Sequence, residues 1–141
     1  MNKVFQDRRR RGGVSMIALV VLLTLLFPPA LAILRLAHAL DLRIVFGYII
    51  LISAVTYFLY QHDKKSAEAG EWRTPESTLH FVELIGGWPA AFLAQRALRH
   101  KISKTSYQVT FWTIIAIHEF ASFDFTKDWQ YSRKALLFFH Q

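Results

Sequence analysis

Ionisable side chains in this sequence gather in two places, Gln61 to Thr78 and Arg96 to Lys104, on either side of a segment interrupted by Gly86-Gly87-Trp88-Pro89. The first group holds Asp63, Lys64, Lys65, Glu68, Glu71, Arg73 and Glu76, and the second Arg96, Arg99, His100, Lys101 and Lys104. If the interrupted segment folds back, the two groups meet. One chemistry they offer is acid–base work on a lipid or phosphate-bearing substrate. His80 and His100 would serve as acid–base groups, Glu76 and Glu83 would be their carboxylate partners, and Arg73, Arg99 and Lys101 would clamp phosphate oxygens. A second is non-enzymatic. Arg96, Arg99, Lys101 and Lys104 recur at helical spacings of three to five and would form one basic stripe beside a membrane, each attracting anionic lipid by on the order of 1 kcal/mol. The plainest reading is a solvated, salt-bridged surface, where each exposed pair contributes roughly 0–1 kcal/mol.

Nothing in the spacing completes the enzymatic version: there is no Gly-x-Ser-x-Gly, no His-Glu-x-x-His and no phosphate loop. Metal binding is a third, weaker reading, resting on His80 with Glu83 and on His118 with Glu119. Neighbours on a helix point about 100° apart, so the second pair suits one ion poorly. No metal and no cofactor is assigned. The expected role is therefore an accessory or scaffold subunit that contacts anionic lipid or a protein partner through its basic cluster. The membrane enzyme built on Glu76, His80 and His100 is the alternative.

These residues need a frame, and composition supplies it. The chain has 141 residues, 53% of them hydrophobic, a formal charge of +7 and no cysteine. Lack of cysteine excludes disulfides, a thiolate nucleophile and Cys-ligated metal. The apolar residues collect into uncharged blocks instead of recurring with a helical or strand period, which argues for hydrocarbon as solvent. Val14 to Leu34 runs 21 residues without a charge, enough to cross a bilayer, with Pro28 and Pro29 inside it to kink or unwind the helix. Arg8 to Arg11 followed by this run and by Ala37-His38-Ala39 mimics a cleaved secretory signal. The run exceeds a signal core and Arg35 precedes the supposed cleavage site, so an uncleaved helix is favoured.

Ile44 to Tyr60 gives a second uncharged block of 17 residues, with Tyr57 and Tyr60 suited to the headgroup region. The short link between the two predicts an antiparallel hairpin. Tyr107 to Phe123 is a third candidate, burdened by His118 and Glu119. Leu79 to Leu98 is either a short broken span or a re-entrant turn, because the two glycines and Pro89 interrupt it. Thr74 is expected to cap a helix whose first residue is Pro75. The fold class is thus all-α integral membrane with three to four transmembrane helices. Residues 1–13 form a basic cytoplasmic arm, 14–123 the membrane domain, and 124–141 an amphipathic tail at the interface.

Lys and Arg number five before Val14, two in the first link, three in Gln61 to Thr78, four in Arg96 to Lys104 and three after Phe123. Four crossings put 11 on the cytoplasmic side against 6, whereas a re-entrant segment puts 12 there against 5. Both arrangements keep the N-terminus and Gln61 to Thr78 in the cytoplasm of a bacterial inner membrane. Keeping Arg96 to Lys104 inward favours re-entry slightly. The pI of about 10 and Arg8 to Arg11 invite a nucleic-acid reading, but the same arginines orient the first helix. The topological role takes precedence, and nucleic acid is not an expected partner. Short helices with so little polar surface are expected to associate, as a homo-oligomer or within a larger complex.

Several short motifs occur together: Tyr60-Gln61-His62-Asp63-Lys64, Trp72-Arg73-Thr74-Pro75-Glu76, Leu79-His80, Gly86-Gly87-Trp88-Pro89, Arg99-His100-Lys101, Lys104 and Tyr107-Gln108. As an ordered set they resemble a bacterial membrane family known as domain of unknown function 1294, over about Tyr57 to Trp112. Some members of that family look like fusions with an N-terminal cold-shock domain. Met1 to Gly13 is too short for such a barrel here, and Ala90 stands where the family commonly has glycine. The resemblance implies an architecture and leaves the reaction open.

Overall fold

The computed structural model describes residues 14–37 and 39–139, so the arm Arg8 to Arg11 and the rest of residues 1–13 lie outside it. Among the described residues all regular structure is helical: α1 (Met16–Leu36), α2 (Leu42–Ala69), α3 (Glu76–Val82), a π-helical turn (Glu83–Gly87), α4 (Trp88–Leu98), α5 (Thr105–Thr126) and α6 (Gln130–Phe139). The Ser15 hydroxyl starts α1 by accepting from the Ala18 N–H at 3.1 Å. This helix continues through Pro28 and Pro29 without unwinding. Asp41 caps α2 through the Arg43 N–H at 2.9 Å, and Gly70 ends it in the left-handed conformation, φ +69°.

Two helices, α1 and α2, are long and apolar enough to cross a membrane. In each, 11% of the most apolar stretch is buried. A core helix of a water-soluble protein would be covered on most sides, whereas these present Ile17, Leu23, Phe27, Ile44, Ile50 and Phe58 outward. That pattern suits association with a membrane.

Three expectations change. The region Gln61 to Thr78 is not one loop: α2 runs on to Ala69, because Gln, Lys, Glu and Ala favour helix as much as the apolar run before them. Pro75 caps α3 instead of opening it, with ψ 139°, and its carbonyl accepts from the Thr78 N–H at 3.0 Å. Third, α1 and α2 do not form the expected hairpin: among the described residues α1 packs on α5, and α2 packs on α4, α3 and the π-turn.

The chain reverses at Gly86, whose φ of +110° is open to glycine alone without strain. Gly87 is there for space. A Cβ on it would lie 2.2 Å from Thr56 Oγ1 and 2.6 Å from the Val82 carbonyl oxygen. Thr56 is held by donating to its own Ile52 carbonyl at 2.7 Å. Tyr48 donates to the Ile85 carbonyl freed at the break. At the other end of the excursion, Glu76 at the start of α3 meets Lys101, just past α4, at 2.8 Å. The segment α3–turn–α4 therefore leaves and returns at the same end of α2. It reaches from the level of Asp63 toward that of Tyr48, about 22 Å along the helix at 1.5 Å per residue. Tyr60, Leu79, Trp88, Phe92, Tyr107, Phe111 and Ile115 form the core, with Ala18 and Leu22 of α1 added.

Candidate functional site

The core encloses a polar network centred on Glu83, which is fully buried. Its Oε1 accepts from the Tyr107 hydroxyl at 2.6 Å and from the Tyr60 hydroxyl, and these two hydroxyl oxygens lie 2.6 Å apart. Its Oε2 faces His80 Nδ1 at 2.7 Å. The π-turn begins at Glu83, so this carboxylate is carried on the same irregular backbone that reverses the chain. Gln95 Nε2 donates to Tyr60 Oη at 3.0 Å, and Gln95 Oε1 accepts from Gln108 Nε2 at 2.7 Å. The His80 ring stacks on Tyr107 with centroids 4.2 Å apart. Residues from α2, α3, α4 and α5 thus share one set of hydrogen bonds, which makes the network costly to break in part.

A second network closes the open end. Asp63, also fully buried, accepts from His100 Nε2 at 2.6 Å, Lys101 Nζ at 3.3 Å and Arg73 Nε at 3.4 Å. Lys101 lies between two carboxylates, and Lys104 Nζ adds a 2.8 Å contact to Glu76. Arg99 and Lys101 have φ of 49° and 65°. That pair of left-handed residues turns the chain sharply after Leu98 and swings Lys101 back over α3. Hydrogen bonds from Lys101 and then Lys104 hold the Glu76 carboxyl well below its ordinary 4.5, at about 2, against the opposing effect of burial. Gln108 Nε2 also donates to the Lys101 carbonyl at 3.1 Å, joining this network to the deeper one.

Asp63, Arg73, Glu76, His100, Lys101 and Lys104 are therefore brought together, and His80 joins the deeper set. Four expected residues stand apart. Lys64 pairs with Glu68 at 3.6 Å. Arg96 turns back on its own helix, donating to the Phe92 carbonyl at 2.9 Å with its guanidinium 3.3 Å from that ring's centroid. Arg99 is exposed, and buried Trp88 packs in the core. The single basic stripe of Arg96, Arg99, Lys101 and Lys104 does not form, because α4 ends at Leu98 and the left-handed turn breaks the helical spacing.

The hub residues Tyr60, Tyr107, Gln95 and Gln108 do not stand out by type. Tyr60, suited by its position to the headgroup region, is instead fully buried. The sequence signal for Tyr60, Tyr107 and Gln108 is their presence among the ordered motifs, and Gln95 has none. Both networks, Gln108 excepted, fall within one continuous stretch of sequence. Residues 53–107 match the family model described as "Protein of unknown function (DUF1294)". The matched stretch therefore contains the hairpin, its glycine reversal and nearly all of its polar lining. The uncharacterized protein YsdA of Bacillus subtilis (strain 168) is 26% identical over 65 residues, covering 46% of this chain and 73% of the relative. No solved structure matches.

Chemically, the arrangement admits two uses. His80 and His100 each set one ring nitrogen against a fully buried carboxylate while remaining 17% and 13% exposed. That is how a carboxylate orients an imidazole for proton transfer, and also how an ion pair fastens two elements together.

Proposed function

We propose that this chain is a multi-pass inner-membrane protein with a non-enzymatic accessory or scaffold role, and that its polar networks clasp a re-entrant hairpin. The observation that carries the reading is the meeting of Glu76 and Lys101, which ties the two feet of α3–turn–α4 together at one end of α2. With α1, α2 and α5 as crossings and the hairpin entering and leaving from the cytoplasm, 12 of the 17 Lys and Arg fall inside. The N-terminus is then cytoplasmic, and α6 lies on the far side with Leu136, Leu137, Phe138 and Phe139 exposed to the interface. On the cytoplasmic face, Arg73, Arg99 and Lys104, beside the 90%-exposed Trp72, contact anionic headgroups or an acidic partner.

The native chain lacks cysteine, so single cysteines report sidedness directly. Ser77→Cys and Ser103→Cys are expected to react with an impermeant maleimide from the cytoplasmic side, and Gln130→Cys from the opposite side. Labelling of Ser77→Cys and Ser103→Cys from opposite sides would establish four crossings and overturn the hairpin. For the accessory role, the assay is complementation of a deletion strain by His80→Ala and His100→Ala. Full complementation is expected.

The enzymatic alternative is favoured by one observation, the carboxylate orientation of His80 and His100. It predicts that either alanine abolishes complementation while the protein still reaches the membrane at normal level.

A further inference from the structure

Away from both networks, a cavity of about 900 Å³ opens between the second half of α1 and the last turn of α5. Phe27, Leu31, Leu34 and Phe123 give it apolar walls, while Arg35 and Lys127 stand at its mouth. Its volume falls in the range of about 300–1,000 Å³ typical of small-molecule sites. The charge at the mouth is unusual for its place. Both α1 and α5 end there, and helix C-termini carry partial negative charge, so an anion would be repelled without cations to outweigh them. Two are present, with two carboxylates near them: Asp124 is turned onto the Tyr131 and Ser132 N–H groups, and Arg35 Nη1 lies 3.5 Å from Asp128 Oδ1, a long pair whose side chains are 52% and 86% exposed. Such a pair is weak and easily shared with a phosphate, which the guanidinium can grip with two N–H groups. Lys127 Nζ sits 6.0 Å from the Phe123 ring centroid, above the apolar wall.

An apolar slot parallel to the helices with cations only at the headgroup end has the polarity of one class of molecule. We propose that it holds one anionic phospholipid, its acyl chain against Phe27, Leu31, Leu34 and Phe123 and its phosphate at Arg35 and Lys127. The inference rests on the membrane reading above, and it concerns the face opposite the cytoplasmic basic cluster.

The test is native mass spectrometry of the full chain, with phosphatidylglycerol and phosphatidylcholine of identical acyl chains offered in equal amounts. The wild type is expected to retain one phosphatidylglycerol with at least tenfold preference. Arg35→Gln with Lys127→Gln is expected to lose that preference, and Leu31→Trp, which fills the slot, to lose both lipids with the cations intact. Lys64→Gln, at a residue paired with Glu68 and outside both proposed lipid contacts, should leave retention unchanged. Because variants can misfold, the wild type is also cross-linked with a phosphatidylglycerol bearing a diazirine on its acyl chain. Adducts on α1 and α5 near Leu31 and Phe123 are expected. Equal retention of the two lipids by the wild type, undiminished preference in the double variant, or adducts confined to α2 and α3 would each overturn the site. Failure of the membrane reading is seen separately, as protein released to the aqueous phase by carbonate.

Discussion

Lys101 Nζ lies 2.8 Å from Glu76 Oε1 and 3.3 Å from Asp63 Oδ2, so one ammonium, only 3% exposed, joins the end of α2, the start of α3 and the turn after α4. Because Lys101 is buried and held by two acceptors, removing either one leaves it under-compensated. Glu76→Gln is expected to destabilise the protein by about 1–3 kcal/mol, toward the lower end because Glu76 is itself a third exposed. Thermal unfolding in mild detergent measures this, and an unchanged midpoint would show that Asp63 alone suffices.

The same carboxylate sets a pH dependence. Its folded pKa of about 2 lies below the ordinary 4.5, so the folded state binds this proton less readily than the unfolded chain. Its contribution is therefore complete above about 4.5 and is lost as pH falls toward 2. Melting of wild type and Glu76→Gln from pH 6 downward should show two curves that converge across that window. A constant gap would mean that another group is responsible.

Tyr60 and Tyr107 both donate to Glu83 Oε1 and touch one another, so neither acts alone. Tyr60→Phe and Tyr107→Phe should each cost about 1–3 kcal/mol by leaving buried acceptors short of a donor. Together they should depart from additivity by about 0.5 kcal/mol or more. Strict additivity in the double-mutant cycle would argue against a shared network.

Glycines here differ in kind. At Gly87 a methyl would meet Thr56 Oγ1 and the Val82 carbonyl, and the latter is backbone that cannot rotate away. Gly87→Ala is expected to cost about 1–3 kcal/mol or more, and Thr56→Ala to relieve it only in part. At Gly47, within α2, a methyl would meet nothing within 4 Å, so Gly47→Ala should stabilise by about 0.5–1 kcal/mol. Opposite signs at the two sites are the readable result.

Asp124 is fully buried at the end of α5 and accepts from the backbone N–H of Tyr131 at 2.9 Å and of Ser132 at 3.1 Å, besides the Ser132 hydroxyl. It stands in for an N-cap of α6, supplied by a neighbouring helix. Asp124→Ala should cost α6 about 0.5–2 kcal/mol and admit proteolysis after Lys134, with the rest of the chain intact. A protected tail would show that the apolar face of α6 holds it without the cap.

Much of this is readable from the chain. The uncharged runs mark α1 and α2 because length and absence of charge are what hydrocarbon selects, whereas the glycine pair marks a break without deciding between a broken span and a re-entrant turn. The same criterion misplaces the end of α2: Gln61 to Ala69 is polar, yet helix does not stop where apolarity does. Tyr60 and Tyr107 illustrate a different limit. An amphipathic ring at the edge of an apolar run reads as a headgroup anchor, and only the approach of Glu83, 23 residues from Tyr60, reveals the hydroxyl's partner. Likewise, the near-helical spacing of Arg96, Arg99, Lys101 and Lys104 suggests a stripe, but two left-handed residues redirect it, and nothing in Arg or Lys forecasts that conformation.

The feet of the hairpin, at Glu76 and Lys101, close on Asp63 of α2, and Lys101 is the last of the three along the chain. When α3 leaves the ribosome, Glu76 has no ammonium to meet, and Glu83 lacks the Tyr107 hydroxyl that is still to be made. The fully buried Glu83 cannot be desolvated cheaply at that stage. The Glu83 network can be complete only when Tyr107 is present, so the hairpin depends on a helix that follows it in the chain.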